Sequence, residues 1–325
     1  MFGLRPDGKR LKNIDPIQKI MPHIMKDRHD GQNIAKYEVR CEPFDEFIKA
    51  EREKGNRFNY MHLVIAGIVR TFALKPRLNR FIMNGRIYKR TGGIFVSFVV
   101  KKKLSSEAAD STIKVQFTGH ENIYEIKEKI DEAINTVNAP TKSNGTDKLA
   151  RVLTITPNFI IKGVVGLIKF LDKHGMLPNA ILKLSPFHTS CFVTNLKSIK
   201  GEYIYHHIYD FGTTGIFFAM GKEKMVPVVD EIDYVPTLGM GKVMNIGIVM
   251  DERFCDGFYY VSSLKMLKDF FANPIKLCER LEKVVEDETF DFKNKELKKK
   301  MKAEEKAKKS EAKKNKKSEA KKNKK

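Results

Sequence analysis

The hydrophobic period changes along residues 1–290, and this change restricts the fold more than any other feature of the sequence. Three segments of the first half have apolar residues at helical spacing: 45–54, 60–74 and 122–137. Two shorter segments have the apolar content or alternation of strands: 92–102 and 112–118. The first half is therefore predicted to be rich in helices and poor in strands.

The second half has the opposite character. Four segments of strand length follow one another with short loops: 189–196, 215–222, 225–235 and 241–251. Two helical segments close this half: 262–274 and 274–287. A block of helices before a block of strands favours an α+β sandwich over repeated β–α–β units.

Residues 147–184 are predicted to form one long helix or two shorter ones, with breaks near Pro157 and Gly175. The most membrane-like segment of the chain, FIIKGVVGLIKFL (159–171), lies there. Its 13 residues are too few to cross a bilayer, and two lysines interrupt them. We predict no membrane span and a helix that covers the core; a helix lying in a membrane interface is the alternative.

Lysine is concentrated at the C-terminal end. The formal net charge is +21, and residues 291–325 supply 17 Lys against 6 acidic residues. This stretch has almost no apolar side chains to offset the entropy of ordering, so we predict a single domain over 1–290 and a disordered or solvated-helical Lys-rich tail. The tail is expected to make weak, non-specific contacts with anionic partners. One alternative function is therefore a nucleic-acid or ribosome-associated protein, and another interpretation is that the tail only increases solubility.

The cysteine pattern indicates the cellular compartment of the protein. Cys41, Cys191, Cys255 and Cys278 have no Cys-x-x-Cys spacing, and three of them lie in apolar runs. This pattern indicates buried, reduced thiols, which are typical of the cytosol. The first residues lack the apolar stretch of a signal peptide. The sequence therefore predicts a cytoplasmic protein.

The segment NIGIVMDERFCDGFYYVSSLKMLKDFFANP (245–274) carries the most specific motif of the chain. A strand runs into a polar heptapeptide that ends in Asp-Gly, and an amphipathic helix follows. The segment resembles the end of the catalytic domain of 2-oxo acid dehydrogenase acyltransferases and of the related chloramphenicol acetyltransferases, whose signature is His-x-x-x-Asp-Gly. The family pattern Asp-His-Arg-x-x-Asp-Gly falls on residues 251–257.

Three further segments resemble the same family in the same order: 59–82, 192–198 and 215–251. The likeness covers about 15–275, with an apparent helical insertion at about 145–187. It implies a two-layer α+β sandwich of the CoA-dependent acyltransferase type, with a mixed β-sheet flanked by helices. It also implies a homotrimer with active-site channels between subunits, CoA or acyl-CoA as substrate, and no metal. The acyl donor or acceptor is expected to be either free or carried by a partner protein, because this sequence shows neither a lipoyl domain nor an Ala/Pro-rich linker.

The resemblance assigns roles residue by residue. Thr194 falls on the family's Ser/Thr, whose hydroxyl stabilises the oxyanion. Asp256 falls on the motif Asp, a catalytic-site residue that supports local structure in the family. Asn195, Arg253 and Gly257 also match and are predicted to contribute to the CoA site. Ion pairing is the expected role of Arg253.

Glu252 is the main departure from the family, because it occupies the position of the catalytic His. A free Glu has a pKa about four units below that of a thiol, so it is a poor base unless burial raises its pKa. His206 or His207 would be a second source of the base if the fold brings either near the site. Metal binding by these two is not expected, because nothing nearby in the sequence completes a ligand set. The alternative function is a catalytically silent trimeric scaffold or effector-binding homologue.

One further stretch bears on the ligand. Residues 54–106 contain 12 Lys and Arg and no acidic residue. A basic face near the site would attract the phosphates of CoA. A solvated basic face with no such role is the alternative interpretation.

Overall fold

The computed structural model describes residues 5–101, 110–138, 156–232 and 235–287. The predicted Lys-rich tail and the first part of the predicted insertion, 145–155, lie outside these ranges. The boundary of the domain at residue 290 stays a prediction for the same reason.

The described ranges contain both helices and strands. The α-helices are α1 (Pro16–Ile24), α2 (Glu42–Glu53), α3 (Tyr60–Leu74), α4 (Ile123–Asn138), α5 (Asn158–Lys173), α6 (Asn179–Leu184) and α7 (Gly257–Ala272). The strands are β1 (Gly8–Arg10), β2 (Gln32–Arg40), β3 (Arg80–Met83), β4 (Arg86–Arg90), β5 (Ile94–Lys101), β6 (Asp110–Phe117), β7 (Cys191–Asn195), β8 (Ile216–Ile232) and β9 (Val235–Asp251).

The strands form two sheets. The main sheet has the order β2-β9-β8-β7-β5-β6, in which β7 is parallel to β5 and β8 and all other neighbours are antiparallel. A small antiparallel sheet has the order β1-β4-β3. The predicted α+β class, with a mixed sheet flanked by helices, is confirmed.

One face of the main sheet is covered by helices α2, α3, α4 and α7. Helix α3 is buried on nearly all sides, as its almost unbroken apolar sequence predicts. It begins at a capping box, in which the Asn59 side chain accepts from the backbone N–H of His62 and the His62 ring accepts from the backbone N–H of Asn59. It ends before Pro76, which cannot continue a helix.

The opposite face is covered by an extended segment, residues 201–211, which we call the strap. Ile208 of the strap packs on Phe217 of β8 in a small second apolar cluster. The strap comes close to the sheet at Gly247, where an added Cβ would lie 2.0 Å from the carbonyl oxygen of Ile204. The main sheet therefore lies between a thick helical layer and a single extended strap.

The prediction of a strand-poor first half is wrong, because β1 to β4 all lie before residue 91. β3 and β4 are joined by Asn84 and Gly85, both in the left-handed region with φ of 51° and 64°. An Asn-Gly pair favours this two-residue hairpin turn, so the sequence did contain the signal. Among the described strands β2 pairs only with β9 and lies at the edge of the sheet, which explains its mixed apolar and polar content.

Two strands predicted separately, at 215–222 and 225–235, form one long strand. β8 runs from Ile216 to Ile232, with an irregular register between Met220 and Glu223. Such an irregularity bends a strand without ending it.

The helix predicted at 274–287 is wrong. A single 3-10 turn, Pro274–Leu277, follows α7, and the chain then continues without helix to residue 287. Hydrogen bonds to distant segments replace helical ones: the N–H of Leu281 donates to the carbonyl of His120, and the N–H of Val285 donates to that of Ala73. Tertiary contacts have overridden the local helical period.

Two helices do form in the described part of the region predicted as one or two, but the first of them, at the segment 159–171, does not cover the core as expected. Helix α5 is exposed along most of its length, and its one fully buried residue is Asp172, near its end. The chain turns between α5 and α6 at Gly175, which has a φ of 71°. Within the described ranges, no helix is long and apolar enough to cross a membrane.

Candidate active site

The loop after β9 contains the heptapeptide motif, and a buried ion pair fixes its start. The Nε and Nη2 atoms of Arg253 donate to the two carboxylate oxygens of Asp251 at 2.8 and 2.7 Å. Both residues are less than 5% exposed. Gly31 leaves room for the arginine, since an added Cβ would lie 2.6 Å from its Cγ. Arg253 is therefore in an ion pair, and its partner is Asp251.

Glu252 is half-buried at the turn between β9 and α7. Its backbone N–H donates to the carbonyl oxygen of Gly31 at 2.8 Å, and its carboxylate accepts a hydrogen bond from the side-chain amide of Asn33 in β2. The nearest arginine along the chain, Arg253, is engaged by Asp251 instead. The carboxylate is thus oriented by an amide and not neutralised by its neighbour.

Asp256 and Gly257 begin the next helix. Asp256 is exposed and caps α7, accepting from the backbone N–H of Tyr259 at 2.9 Å. An added Cβ at Gly257 would meet nothing within 4 Å. The hydroxyl of Tyr260 donates to the carbonyl oxygen of Asp251 at 2.6 Å and ties the helix to the loop.

Thr194 and Asn195 lie at the end of β7. Asn195 accepts from the backbone N–H of Ser198 at 3.3 Å and starts a short 3-10 turn. Thr194 is half-buried, and its hydroxyl has no hydrogen-bond partner among the described residues. It points to the same side of the sheet as Phe192, which is the side of the strap.

The sheet register sets the distance between Thr194 and Glu252 within one chain. Thr194 pairs with Ala219, and Ala219 pairs with Gly247, so these three residues lie in one row across the sheet. Glu252 follows Gly247 by five residues along β9, or roughly 17 Å at the usual rise of a strand. One chain therefore does not bring the predicted oxyanion donor and the predicted base together.

His206 and His207 both belong to the strap. The His206 ring stacks on Phe217 with the centroids 3.9 Å apart, and its Nδ1 lies 2.9 Å from the carbonyl oxygen of His207. Phe217 pairs with Phe192, two residues before Thr194, so His206 is much nearer to Thr194 than Glu252 is. Burial lowers the pKa of His206, which favours a neutral ring at pH 7. His207 is exposed.

A cavity of about 560 Å³ borders the Asp251–Arg253 pair. Its charged lining residues are Lys26, Asp27, Arg28, Lys169, Asp172, Lys173, Asp210 and Arg253. Arg28 is buried and donates to the carbonyl oxygens of Thr214 and Gly212 at 2.6 and 2.5 Å. Burial lowers the pKa of its guanidinium, which remains charged at neutral pH. No local sequence pattern indicates this cavity, because its lining comes from five separate stretches of the chain.

Three arginines of the acid-free stretch, all in its described part 54–101, do not contribute to a basic face. Arg70, Arg80 and Arg90 are each less than 9% exposed. Arg80 pairs with Asp287 at 2.6 Å, and Arg90 donates to the carbonyl oxygen of Thr189 at 2.8 Å. These arginines bind parts of the protein itself and are not available to an external phosphate.

The remaining predictions concern cysteines and metals. Within the described ranges Cys41, Cys191 and Cys255 are buried, Cys278 is half-buried, and all four are free thiols. No group of three or more His, Cys, Asp or Glu side chains among the described residues is arranged to hold a metal ion.

Known structures share this architecture. The chain is similar to a chloramphenicol acetyltransferase, with a TM-score of 0.51 and 12% identity over 81% of this chain and 99% of that one. It is similar to the cubic core of the pyruvate dehydrogenase multienzyme complex, with a TM-score of 0.51 and 11% identity over 82% and 93%. It is also similar to dihydrolipoamide acetyltransferase of Azotobacter vinelandii, with a TM-score of 0.50 and 11% identity over 82% and 93%.

The chain has the CoA-dependent acyltransferase fold. No protein-family model and no curated protein matches its sequence. The Azotobacter structure comes from a study of a Ser, a His and an Asn in the catalytic mechanism, and in that enzyme the His and the Asn are four residues apart. At 11–12% identity the likeness is one of fold, and the chemistry of this chain has to be argued from its own residues.

Proposed function

We propose that this protein is a CoA-dependent acyltransferase that acts as a homotrimer, with each active site shared between two copies. The acyl donor is a CoA thioester, and the acceptor is a free molecule or a group carried by a partner protein. The fold supports this proposal, and so does the motif at 251–257, where Glu252 and Asp256 repeat the four-residue spacing of the catalytic His and Asn in the Azotobacter enzyme.

The separation of Thr194 and Glu252 is the observation that carries the proposal. If these residues serve one reaction, they come from different copies, because one rigid sheet separates them by roughly 17 Å along the strand direction and by two strand spacings across it. A rotational trimer brings the same two surfaces together three times, so each interface forms one complete site.

The residues around Glu252 fit the role of a base. Glu252 takes the proton from the acceptor's attacking thiol or hydroxyl as that atom adds to the thioester carbonyl. Thr194 donates a hydrogen bond to the oxyanion that forms, and the C–S bond then breaks, with the proton passing to the departing CoA sulfur. Asn33 fixes the direction of the carboxylate, and Asp251 keeps Arg253 from neutralising it.

His206 is a second candidate base. It lies on the same face of the sheet as Thr194, and burial keeps its pKa below the ordinary value of a histidine. A neutral imidazole accepts a proton at pH 7, so one chain could then supply both the base and the oxyanion donor. The two candidates predict different results for single variants.

The first test measures acetyl transfer from acetyl-CoA to dihydrolipoamide and to chloramphenicol, used as probe acceptors. We expect acetyl-CoA to raise the Tm of the protein. We expect Glu252→Gln and Thr194→Ala each to lower kcat by about 100-fold or more. Glu202→Gln, at an exposed carboxylate of the strap, is the matched control and should keep full activity.

The second test mixes the two inactive variants in one assembly. In trimers formed at random from equal amounts of Glu252→Gln and Thr194→Ala chains, about one quarter of the interfaces pair an intact Glu252 with an intact Thr194. We therefore expect about one quarter of the wild-type activity to return on refolding the mixture. No recovery would contradict the shared site.

Two other outcomes would favour a different base or a different function. Full activity in Glu252→Gln together with loss in His206→Gln would identify His206 as the base. Absence of any response to acetyl-CoA in an assembled trimer would overturn the proposed enzyme and favour the silent scaffold.

A further inference from the structure

Helix α5 leaves a broad apolar surface uncovered. Six of its large apolar side chains are 41–75% exposed: Phe159, Ile160, Val164, Val165, Leu167 and Phe170. Monomeric proteins rarely leave a contiguous patch of this kind in water without a function. The next helix, α6, has a further exposed leucine, Leu184, at 71%.

The helical spacing of α5 separates its lysines from its apolar side chains. Lys162, Lys169 and Lys173 fall within about 40° of one another around the helix axis. The apolar side chains occupy the remaining wide arc, and Phe159 and Phe170 lie along one border of the lysine row. A wide apolar arc beside a narrow row of lysines is typical of helices that lie in a membrane interface.

The exposed charge of this region is entirely positive. Asp172 is the one acidic residue in 157–184, and it is 2% exposed. Its carboxylate lies 2.8 Å from Nη1 of Arg5 and 3.0 Å from Nε2 of His188. The lysines of α5 and Lys183 of α6 therefore have no acidic partner within their own segment.

The attachment of α5 also suits a surface role. The buried Asp172 holds its C-terminal end to the body, while most side chains before it remain exposed. The helix of 16 residues is about 24 Å long, too short to span a bilayer and long enough to lie along one.

We propose that α5, with α6, binds to the surface of membranes that contain anionic lipids. The apolar arc enters the boundary between headgroups and acyl chains, and the lysines contact the headgroup phosphates. A second copy of the chain fits this surface poorly, because α5 and α6 have no exposed carboxylate that could balance the lysines of the other copy in a symmetric contact. The inference does not depend on acyl transfer.

The chain contains no tryptophan, so one introduced residue reports its own surroundings. We expect the fluorescence of the full-length Phe170→Trp variant to shift to the blue on addition of vesicles of phosphatidylcholine and phosphatidylglycerol, and brominated lipid to quench it. Phe258→Trp, at an 86% exposed phenylalanine of α7, is the matched control and should not respond. Vesicles that bind the Phe170→Trp variant without any response of its tryptophan would overturn the proposal.

Salt separates α5 from the Lys-rich tail, which also attracts anionic vesicles. As the salt concentration rises, screening weakens the electrostatic contacts of the tail with the lipid headgroups. Burial of the apolar side chains of α5 in the membrane is not weakened in this way. At high salt we expect Leu167→Asn to reduce co-sedimentation with the mixed vesicles by about tenfold. If raising the salt reduces co-sedimentation equally for the wild type and for this variant, the tail alone binds the vesicles and the proposal is wrong. If the emission of the Phe170→Trp variant is already blue without vesicles and depends on protein concentration, the surface belongs to a second copy, against the proposal.

Discussion

Asp251 and Arg253 hold the loop after β9 in place, although the family pattern draws attention to Asp256. The resemblance correctly located the loop at 251–257, because a strand, a polar turn and a helix follow one another directly in the sequence. It did not reveal which carboxylate the arginine binds, since Asp251 and Asp256 are both within reach along the chain. Asn33, the partner of Glu252, is 219 residues away in sequence and left no local signal.

The two aspartates should differ in their effect on stability. Asp251→Asn leaves the buried guanidinium of Arg253 without its counter-charge, and we expect a loss of about 3 kcal/mol in the free energy of unfolding. Asp256→Ala removes an exposed helix cap and should cost about 1 kcal/mol. Urea unfolding of both variants at one protein concentration measures the difference. A larger loss at Asp256 would contradict the roles described above.

At the scale of the elements, hydrophobic periodicity predicts the long helical segments correctly. It fails where contacts with distant parts of the chain determine the secondary structure. Helix α3 has the bounds predicted from its apolar run, 60–74, because few polar positions interrupt it. The segment 274–287 has a helical period as well, yet its N–H groups bond to α3 and to the loop before α4. The sequence of α5 has an amphipathic period, but a period does not indicate which surface contacts the apolar side of the helix.

The contact between the strap and the sheet can be tested at one glycine. An added Cβ at Gly247 would lie 2.0 Å from the carbonyl oxygen of Ile204, so Gly247→Ala has to displace the strap. We expect a loss of about 2 kcal/mol in the free energy of unfolding. The pKa of His206 should rise towards its ordinary value as its ring meets water, which a histidine titration by NMR measures.

Gly239 of the same strand is the matched control, because an added Cβ there meets nothing within 4 Å. Gly239→Ala should leave the stability and the His206 titration unchanged. A rise in the pKa of His206 in both variants would show that the strap does not depend on Gly247.

At the scale of the whole molecule, β8 and β9 extend beyond the sheet as a two-stranded ribbon, residues 223–232 and 235–242. The register places a row of apolar side chains on one face of this ribbon: Met225, Pro227, Val229, Leu238 and Met240. Two strands alone are only marginally stable in water, so this face is expected to need a cover. We expect a neighbouring copy in the proposed trimer to pack against this apolar face of the ribbon.

Polar substitutions on the ribbon should therefore weaken assembly. Val229 and Leu238 pair directly and are 67% and 74% exposed in the single chain. We expect the double variant Val229→Ser, Leu238→Ser to sediment as a smaller species than the wild type at the same concentration. Leu167→Ser, at an exposed leucine of α5, is the matched control and should leave the mass unchanged. A wild-type protein that sediments as a monomer would contradict the trimer itself.

The attachment of α5 through one buried carboxylate has a consequence for how this sequence can change. Nearly every substitution in α3 alters the packing of the core, so selection for folding restricts that helix at almost all positions. Most side chains of α5 are exposed, so substitutions there should change the free energy of unfolding little. Its apolar and basic residues can therefore change in sequence together with the surface that they bind, with little effect on the stability of the fold.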